Sequence, residues 1–305
     1  MSDRAAALGA LLEELTARGY TFVTPTPATH ARVAARKEAA SDLRDVFGWS
    51  LPFAPDLLEA PLLSLLHDAD VLEQRGPLLR SLVRVSSLGG DLLLHSAFPT
   101  THADSVFFGP DSYRFAQFLR AALAALPAFQ HIADVGAGAG AGAIAVARAA
   151  PPAHVTLTDI NPAALELARI NWRHARLGSA AFIECDSLSA VATPIDCIVA
   201  NPPYIADAAH RAYRDGGDMH GAAMSVRWAS DAARRLEPGG AFLLYTGSAI
   251  VGGEDRLRAA LSKTLHAFEV QYRELDPDVF GEELDRDGYA DVERIAVIGL
   301  IAVKR

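Results

Sequence analysis

The stretch Asp134-Val135-Gly136-Ala137-Gly138-Ala139-Gly140-Ala141-Gly142 lies between a mostly apolar run at 131–135 and an Ala-rich segment with helical spacing at 140–150. A short apolar run bounded by glycine reads as a buried strand. Glycines tolerate positive φ and let a backbone approach a ligand closely, so strand, turn and helix form one ligand-binding unit. The alternation continues beyond it. Strands are expected at 155–159, 181–185, 195–200, 241–246, 268–275 and 295–303, and helices at 162–177, 222–236 and 254–264. This is βαβ alternation, hence an α/β fold with a mostly parallel Rossmann-like sheet covered on both faces. The last two apolar runs are joined by an irregular segment, a connection natural between antiparallel strands.

The pattern changes on the N-terminal side of residues 100–110. Helices are expected at 3–18, 29–47 and 55–67, followed by a β-hairpin over 78–95 that turns at Gly89-Gly90. Helices followed by a hairpin suit a smaller, mainly helical, winged-helix-like domain. Residues 1–105 are therefore expected to be a substrate or partner domain, and residues 106–305 the catalytic domain. Residues 1–105 carry 9 Lys/Arg against 13 Asp/Glu, without the basic balance of a nucleic-acid reader. The whole chain of 305 residues has a net charge of −9, which argues against coating nucleic acid or an anionic membrane. Cys185 and Cys197 are too few for a disulfide framework or a four-cysteine zinc site. They read as small buried residues in a reducing compartment, and no metal site is expected. No apolar stretch reaches the ~18–20 residues that span a bilayer, and the N-terminus lacks a signal-peptide pattern. A cytoplasmic protein without membrane contact is the expectation.

Three acids narrow the ligand. Asp134 lies two residues before the first glycine, where a carboxylate suits a cationic ligand and repels a pyrophosphate. S-adenosylmethionine carries an ammonium and a sulfonium and has no phosphate. Asp159 ends the next strand, where a carboxylate can accept both ribose hydroxyls. Asp186 follows the third strand, where an acceptor can take the adenine amino group. Gly136, Gly138 and Gly140, together with Ile160 and Ser187 beside these acids, complete the expected cofactor contacts. An NAD-dependent oxidoreductase would explain the glycines but not Asp134. These residues resemble the class I S-adenosylmethionine-dependent methyltransferases, and the resemblance covers roughly 105–305. It implies a seven-stranded sheet with an antiparallel last strand.

After the fourth strand stands Asn201-Pro202-Pro203-Tyr204. Two prolines remove two backbone donors and restrict φ, so their carbonyls can face a ligand without a competing N–H. Asn201 adds a side-chain acceptor and Tyr204 a flat face for a planar group. Such acceptors can grip the two N–H bonds of an sp² amino group and turn its lone pair toward a methyl donor. Asn201, Pro202 and Tyr204 are the expected catalytic residues, with Asn201 also near the cofactor. Pro203, Tyr113, His220 and Tyr245 are expected substrate contacts. The NPPY tetrapeptide resembles that of amino-methyltransferases acting on glutamine amides or adenine N6. The release-factor glutamine N5-methyltransferases, the HemK-like group, are the nearest resemblance. That group carries a Pro-Arg motif with an acid and a Thr-Glu where this chain has 107–113, FFGPDSY. The implied function is N-methylation of a planar amino nitrogen. A protein glutamine amide comes first, then a small nitrogenous metabolite, then nucleic-acid adenine. A regulator that senses cofactor and transfers nothing is the non-enzymatic alternative. The acidic run 274–285 lies near the substrate side in such a fold, and if it lines the pocket it favours a cationic acceptor.

Overall fold

Strands buried on both faces must be apolar throughout, and Cys197–Ala200 is buried at every position. It forms the centre of the sheet in the computed structural model of the chain, which describes residues 3–151, 154–192, 194–207, 211 and 213–305. The N-terminal segment contains α1 (Asp3–Ala17), α2 (Pro27–Ala34), α3 (Leu43–Phe47) and α4 (Ala60–Asp68). It continues with β1 (Leu72–Arg75), β2 (Leu78–Ser81), β3 (Val83–Leu88) and β4 (Asp91–Ser96). Then follow α5 (Pro110–Leu123), β5 (His131–Val135), α6 (Ala141–Ala149), β6 (His154–Asp159), α7 (Pro162–His174) and β7 (Ala181–Glu184). The remainder is β8 (Cys197–Ala200), α8 (Ala223–Arg235), β9 (Ala241–Val251), β10 (Glu254–Asp255), α9 (Arg256–Thr264), β11 (Phe268–Asp276) and β12 (Arg294–Lys304).

The main sheet runs β11-β12-β9-β8-β5-β6-β7, with the two-residue β10 paired beside β9. Pairs among β9, β8, β5, β6 and β7 are parallel, whereas β12 is antiparallel to both β9 and β11. This is the Rossmann-like methyltransferase sheet with its antiparallel last strand. Chain order reverses between β5 and β8, so their C-terminal ends diverge into a crevice.

Two N-terminal expectations change. The helix expected at 29–47 is two short helices. Asp42 caps Asp45 N–H at 2.8 Å, and the Asp45 carboxylate gathers Lys37 and the Ser41 backbone and hydroxyl. These local side-chain bonds restart the helix at Asp42 rather than letting one run through. The single hairpin over 78–95 is two antiparallel hairpins, β1–β2 and β3–β4, the second turning at Gly89-Gly90 as expected. The helix α5 was not singled out in the sequence.

The two parts share a core. Leu8, Leu11 and Leu12 of α1 belong to the same apolar cluster as Ala164, Leu167 and Ile170 of α7. Asn171, fully buried, pins the seam: it accepts from Leu94 N–H at 2.8 Å and donates to Leu94 O at 3.0 Å and Ala139 O at 2.9 Å. One amide side chain thus joins β4, α7 and the glycine loop.

Candidate active site

At the C-terminal ends of β5, β6 and β8 lies a cavity of about 580 Å³. Its floor is the glycine loop and the tetrapeptide, and its roof comes from 98–101 and 105–108. At one end, Ala137 N–H bonds to Thr158 O at 2.9 Å and Gly140 N–H to Ala137 O at 2.8 Å, which curls the loop against β6. Gly136 (φ +66°) needs glycine twice over, because a Cβ there would sit 2.4 Å from the Trp228 ring. Around Gly138 a Cβ would meet nothing within 4 Å, so this face of the loop is open for a ligand.

Asp134 is 2% exposed and accepts Ala143 N–H at 2.7 Å, in the first turn of α6. Burial pushes its carboxyl up to about 7, with the negative Asp159 nearby adding to the rise. Gly142 makes room for it, since a Cβ there would lie 2.8 Å from the carboxylate. Asp159 accepts Gly138 N–H at 2.9 Å and Asn161 N–H at 2.9 Å, and burial raises its pKa too. Ile160, more than half exposed, lies beside it on the cavity wall. Asp186 also lines the cavity, but its carboxylate is held bidentately by Arg227 at 2.7 and 2.9 Å. A ligand amino group must share Asp186 with this guanidinium.

The other end holds Asn201, Pro202, Pro203 and Tyr204, all lining the same cavity. Among the described residues, Asn201 Oδ1 and Ser187 Oγ are buried without a hydrogen-bond partner. Buried polar atoms are rarely left unpaired in the absence of a ligand or water. Two orphaned acceptors, an open glycine face and two carboxylates in one cavity fit a ligand with an adenosyl and a cationic end. The Tyr204 ring is nearly buried and its hydroxyl donates to Asp111. Over the cavity, Tyr213 donates to Thr100 O at 2.6 Å, and its ring lies nearly parallel to Phe107 at 6.4 Å. Arg211 is bidentate to Asp207 at 2.7 and 2.6 Å, while Arg214 and Arg286 both pair with buried Glu283.

Four expected contacts lie elsewhere. Gly140 (φ +82°) is the N-cap of α6 and packs against Ala168 and Leu157, so it serves the helix entry and not the cavity. The Tyr113 hydroxyl accepts Thr24 N–H at 3.0 Å, bracing α5 against the N-terminal segment. His220 pairs with Asp291 at 3.0 Å, outside the cavity lining. Tyr245 is fully buried under the tetrapeptide and donates to Asp111 at 3.0 Å. Cys197 is buried, but Cys185 is only partly so and lines the cavity. Of the acidic run 274–285, Glu282 and Glu283 reach the lining, and the arginines beside Glu283 answer its charge. Trp228 and Arg227 line the cavity without having been singled out, whereas Phe107 belongs to the 107–113 stretch noted in the sequence. Arg227 and Trp228 lie in the helical stretch 222–236, where no local spacing marks them as cavity residues.

The chain is similar to known proteins in sequence and in fold. The chain is 38% identical over 124 residues to a release factor glutamine methyltransferase of Deinococcus radiodurans, covering 37% of this chain and 44% of that one. It is 36% identical over 147 residues to one of Cereibacter sphaeroides, covering 43% and 51%. The matched part thus spans about half the length of these curated relatives. Among solved structures, M. jannaschii TYW2 in complex with AdoMet aligns with a TM-score of 0.50 at 13% identity, covering 73% of this chain and 87% of that one. The complex of aTrm5 and tRNALeu aligns with a TM-score of 0.51 at 16% identity, covering 74% and 56%. At such identities these two speak for the fold alone. The family profile described as "Methyltransferase small domain" matches residues 112–271, taking in the glycine loop, both strand-end acids and the tetrapeptide. More than half of the chain lies within that match, and the chain belongs to the methyltransferase small domain family.

Proposed function

We propose that this chain is an S-adenosylmethionine-dependent N-methyltransferase whose acceptor is the side-chain amide of a protein glutamine. The observation that carries the reading is the continuity of one cavity from the Asp134–Gly138–Asp159 cradle to Asn201 and the two prolines. The cofactor, when bound, supplies an electrophilic methyl group on a sulfonium. Asp159 would hold the ribose hydroxyls, exchanging its present bonds to Gly138 and Asn161 N–H. Asp134, once ionised, would hold the cationic end of the ligand. Ser187 and Ile160 would border the adenine.

At the acceptor end, Asn201 Oδ1 and the Pro202 carbonyl would each accept one N–H of the amide. Gripping both N–H bonds turns the nitrogen lone pair out of conjugation and toward the methyl donor. No strong base is needed before transfer, because the proton leaves readily once the nitrogen is cationic. Residues 1–105 form the substrate or partner domain in this reading, since 98–101 roof the place where the acceptor would enter. The curated relatives named for release factor glutamine methylation favour the protein amide over a small nitrogenous metabolite.

The test is transfer of labelled methyl from S-adenosylmethionine to purified bacterial release factor, with the modified residue located by mass spectrometry. A methylated glutamine is the expected result. Asn201→Ala should lower kcat by about 10²–10³-fold, the effect of removing one well-placed polar contact to a reacting group, and leave the cofactor Kd unchanged. Label that appears only in small-molecule or nucleic-acid fractions of a lysate would overturn the glutamine assignment.

A further inference from the structure

The tetrapeptide tyrosine does not offer its hydroxyl to the cavity. Asp111, in the first turn of α5, is 5% exposed and borders the cavity together with the tetrapeptide. Its Oδ2 accepts the Tyr204 hydroxyl, while Oδ1 accepts the Tyr245 hydroxyl at 3.0 Å and Arg114 Nη1 at 3.1 Å. Arg114 also reaches Asp276 at 3.1 Å, at the end of β11. The Tyr204 ring lies against Gly247, where a Cβ would come within 2.2 Å of it, and meets Phe280 edge-on at 5.9 Å. This packing holds the faces of the ring and leaves its polar tip to be fixed by a hydrogen bond. Asp111 supplies that bond.

We propose that Asp111 is a positioning residue for methyl transfer: it fixes Tyr204, and with it the carbonyls of the tetrapeptide that hold the acceptor nitrogen. The proposal rests on the amino-acceptor reading above. Pro202 and Pro203 have no backbone N–H to anchor them, so the turn depends on Asn201 before it and Tyr204 after it. An ionised carboxylate is suited to the task because all three of its neighbours are donors. An amide of the same shape has one acceptor oxygen, and its NH₂ would face a hydroxyl or the guanidinium. Asp111 also starts the helix that Tyr113 braces to Thr24, so the acceptor turn is tied to the N-terminal segment through two residues of one helical turn.

The first test needs no acceptor. Hydrogen exchange is followed at Ile205 and Ala206, whose amides bond to Arg214 O at 3.3 Å and to the Tyr289 hydroxyl at 2.8 Å. In Asp111→Asn, and equally in Tyr204→Phe, exchange at these amides should quicken about tenfold or more, the scale of one lost buried hydrogen bond. Unchanged exchange in a folded variant would overturn the proposal. Tyr204→Phe removes the same bond from the other side and decides the matter if Asp111→Asn does not fold. The second test uses release factor as acceptor. Asp111→Asn should lower kcat about 10–100-fold, the cost of misplacing a reacting group by a fraction of an ångström, with cofactor Kd and acceptor KM within about twofold. The double variant should be no slower than Asp111→Asn, because both changes break one bond. Additive losses, or a kcat loss matched by lost cofactor affinity, would mean a general structural role instead. If the wild-type chain leaves release factor unlabelled, the acceptor reading fails while the exchange measurement still decides the role of Asp111.

Discussion

Asp134 shows how one residue carries two opposed demands. Its burial favours the neutral acid, whereas a cationic ligand favours the carboxylate. With the unliganded pKa near 7, a growing fraction is protonated as pH falls below that value, and ligand binding must then expel the proton. Cofactor affinity should therefore rise with pH up to about 7 and flatten above it, weakening by up to about tenfold per pH unit below. Calorimetry across pH 5.5–8.5 checks this (a range of about three units around the group), and Asp134→Asn should bind more weakly with no such slope. The position of Asp134 and Asp159 at strand ends was legible, because short apolar runs and the glycines after them mark those ends. The anchoring of Tyr204 was not, since its partner Asp111 stands 93 residues away. Tyr245 misled because it was expected near a strand end, whereas β9 runs on to Val251 and the tyrosine stands in mid-strand with its hydroxyl turned onto Asp111.

Among the elements, most strands of the main sheet were read to within one or two residues, because short apolar runs bounded by turn residues mark them; β9 was the exception, running on to Val251 instead of ending at Thr246. The helices of the N-terminal segment were read less well. The stretch after α2 has good helical residues, yet Asp42 and Asp45 offer the backbone a better local arrangement. The glycine loop was recognised as a ligand turn, and only its packing reveals that Gly136 also admits Trp228. Gly136→Ala should accordingly lose about 1–3 kcal/mol of stability, from a positive φ and a Cβ in the indole ring together. Chemical denaturation measures the loss, and tryptophan emission should shift as the Trp228 ring is displaced.

For the molecule as a whole, alternating strands and helices were enough to foresee a mostly parallel sheet covered on both faces, whereas its seven strands and antiparallel last strand were expected from the family resemblance and the strand order came only with the structure. How the first hundred residues sit on that sheet was not foreseeable, because it depends on pairs such as Leu94 and Asn171 that no periodicity announces. Asn171 makes three buried hydrogen bonds across the seam. Asn171→Ala would strand an N–H and two carbonyls, at a cost of about 2–4 kcal/mol. Thermal unfolding should show the drop. Cofactor affinity should fall as well, because Ala139 of the glycine loop loses its tether.

The shared leucine core also constrains how such a protein changes over generations. A graft of a foreign N-terminal piece near residue 105 would have to re-create the partners of Leu167 and Ile170 as well as the tether at Leu94. Recombination between gene fragments is thereby disfavoured. The cavity roof at Phe98, Thr100 and Phe107 makes none of those seam contacts, so in the proposed reading single substitutions there would change which acceptor fits while leaving the seam intact.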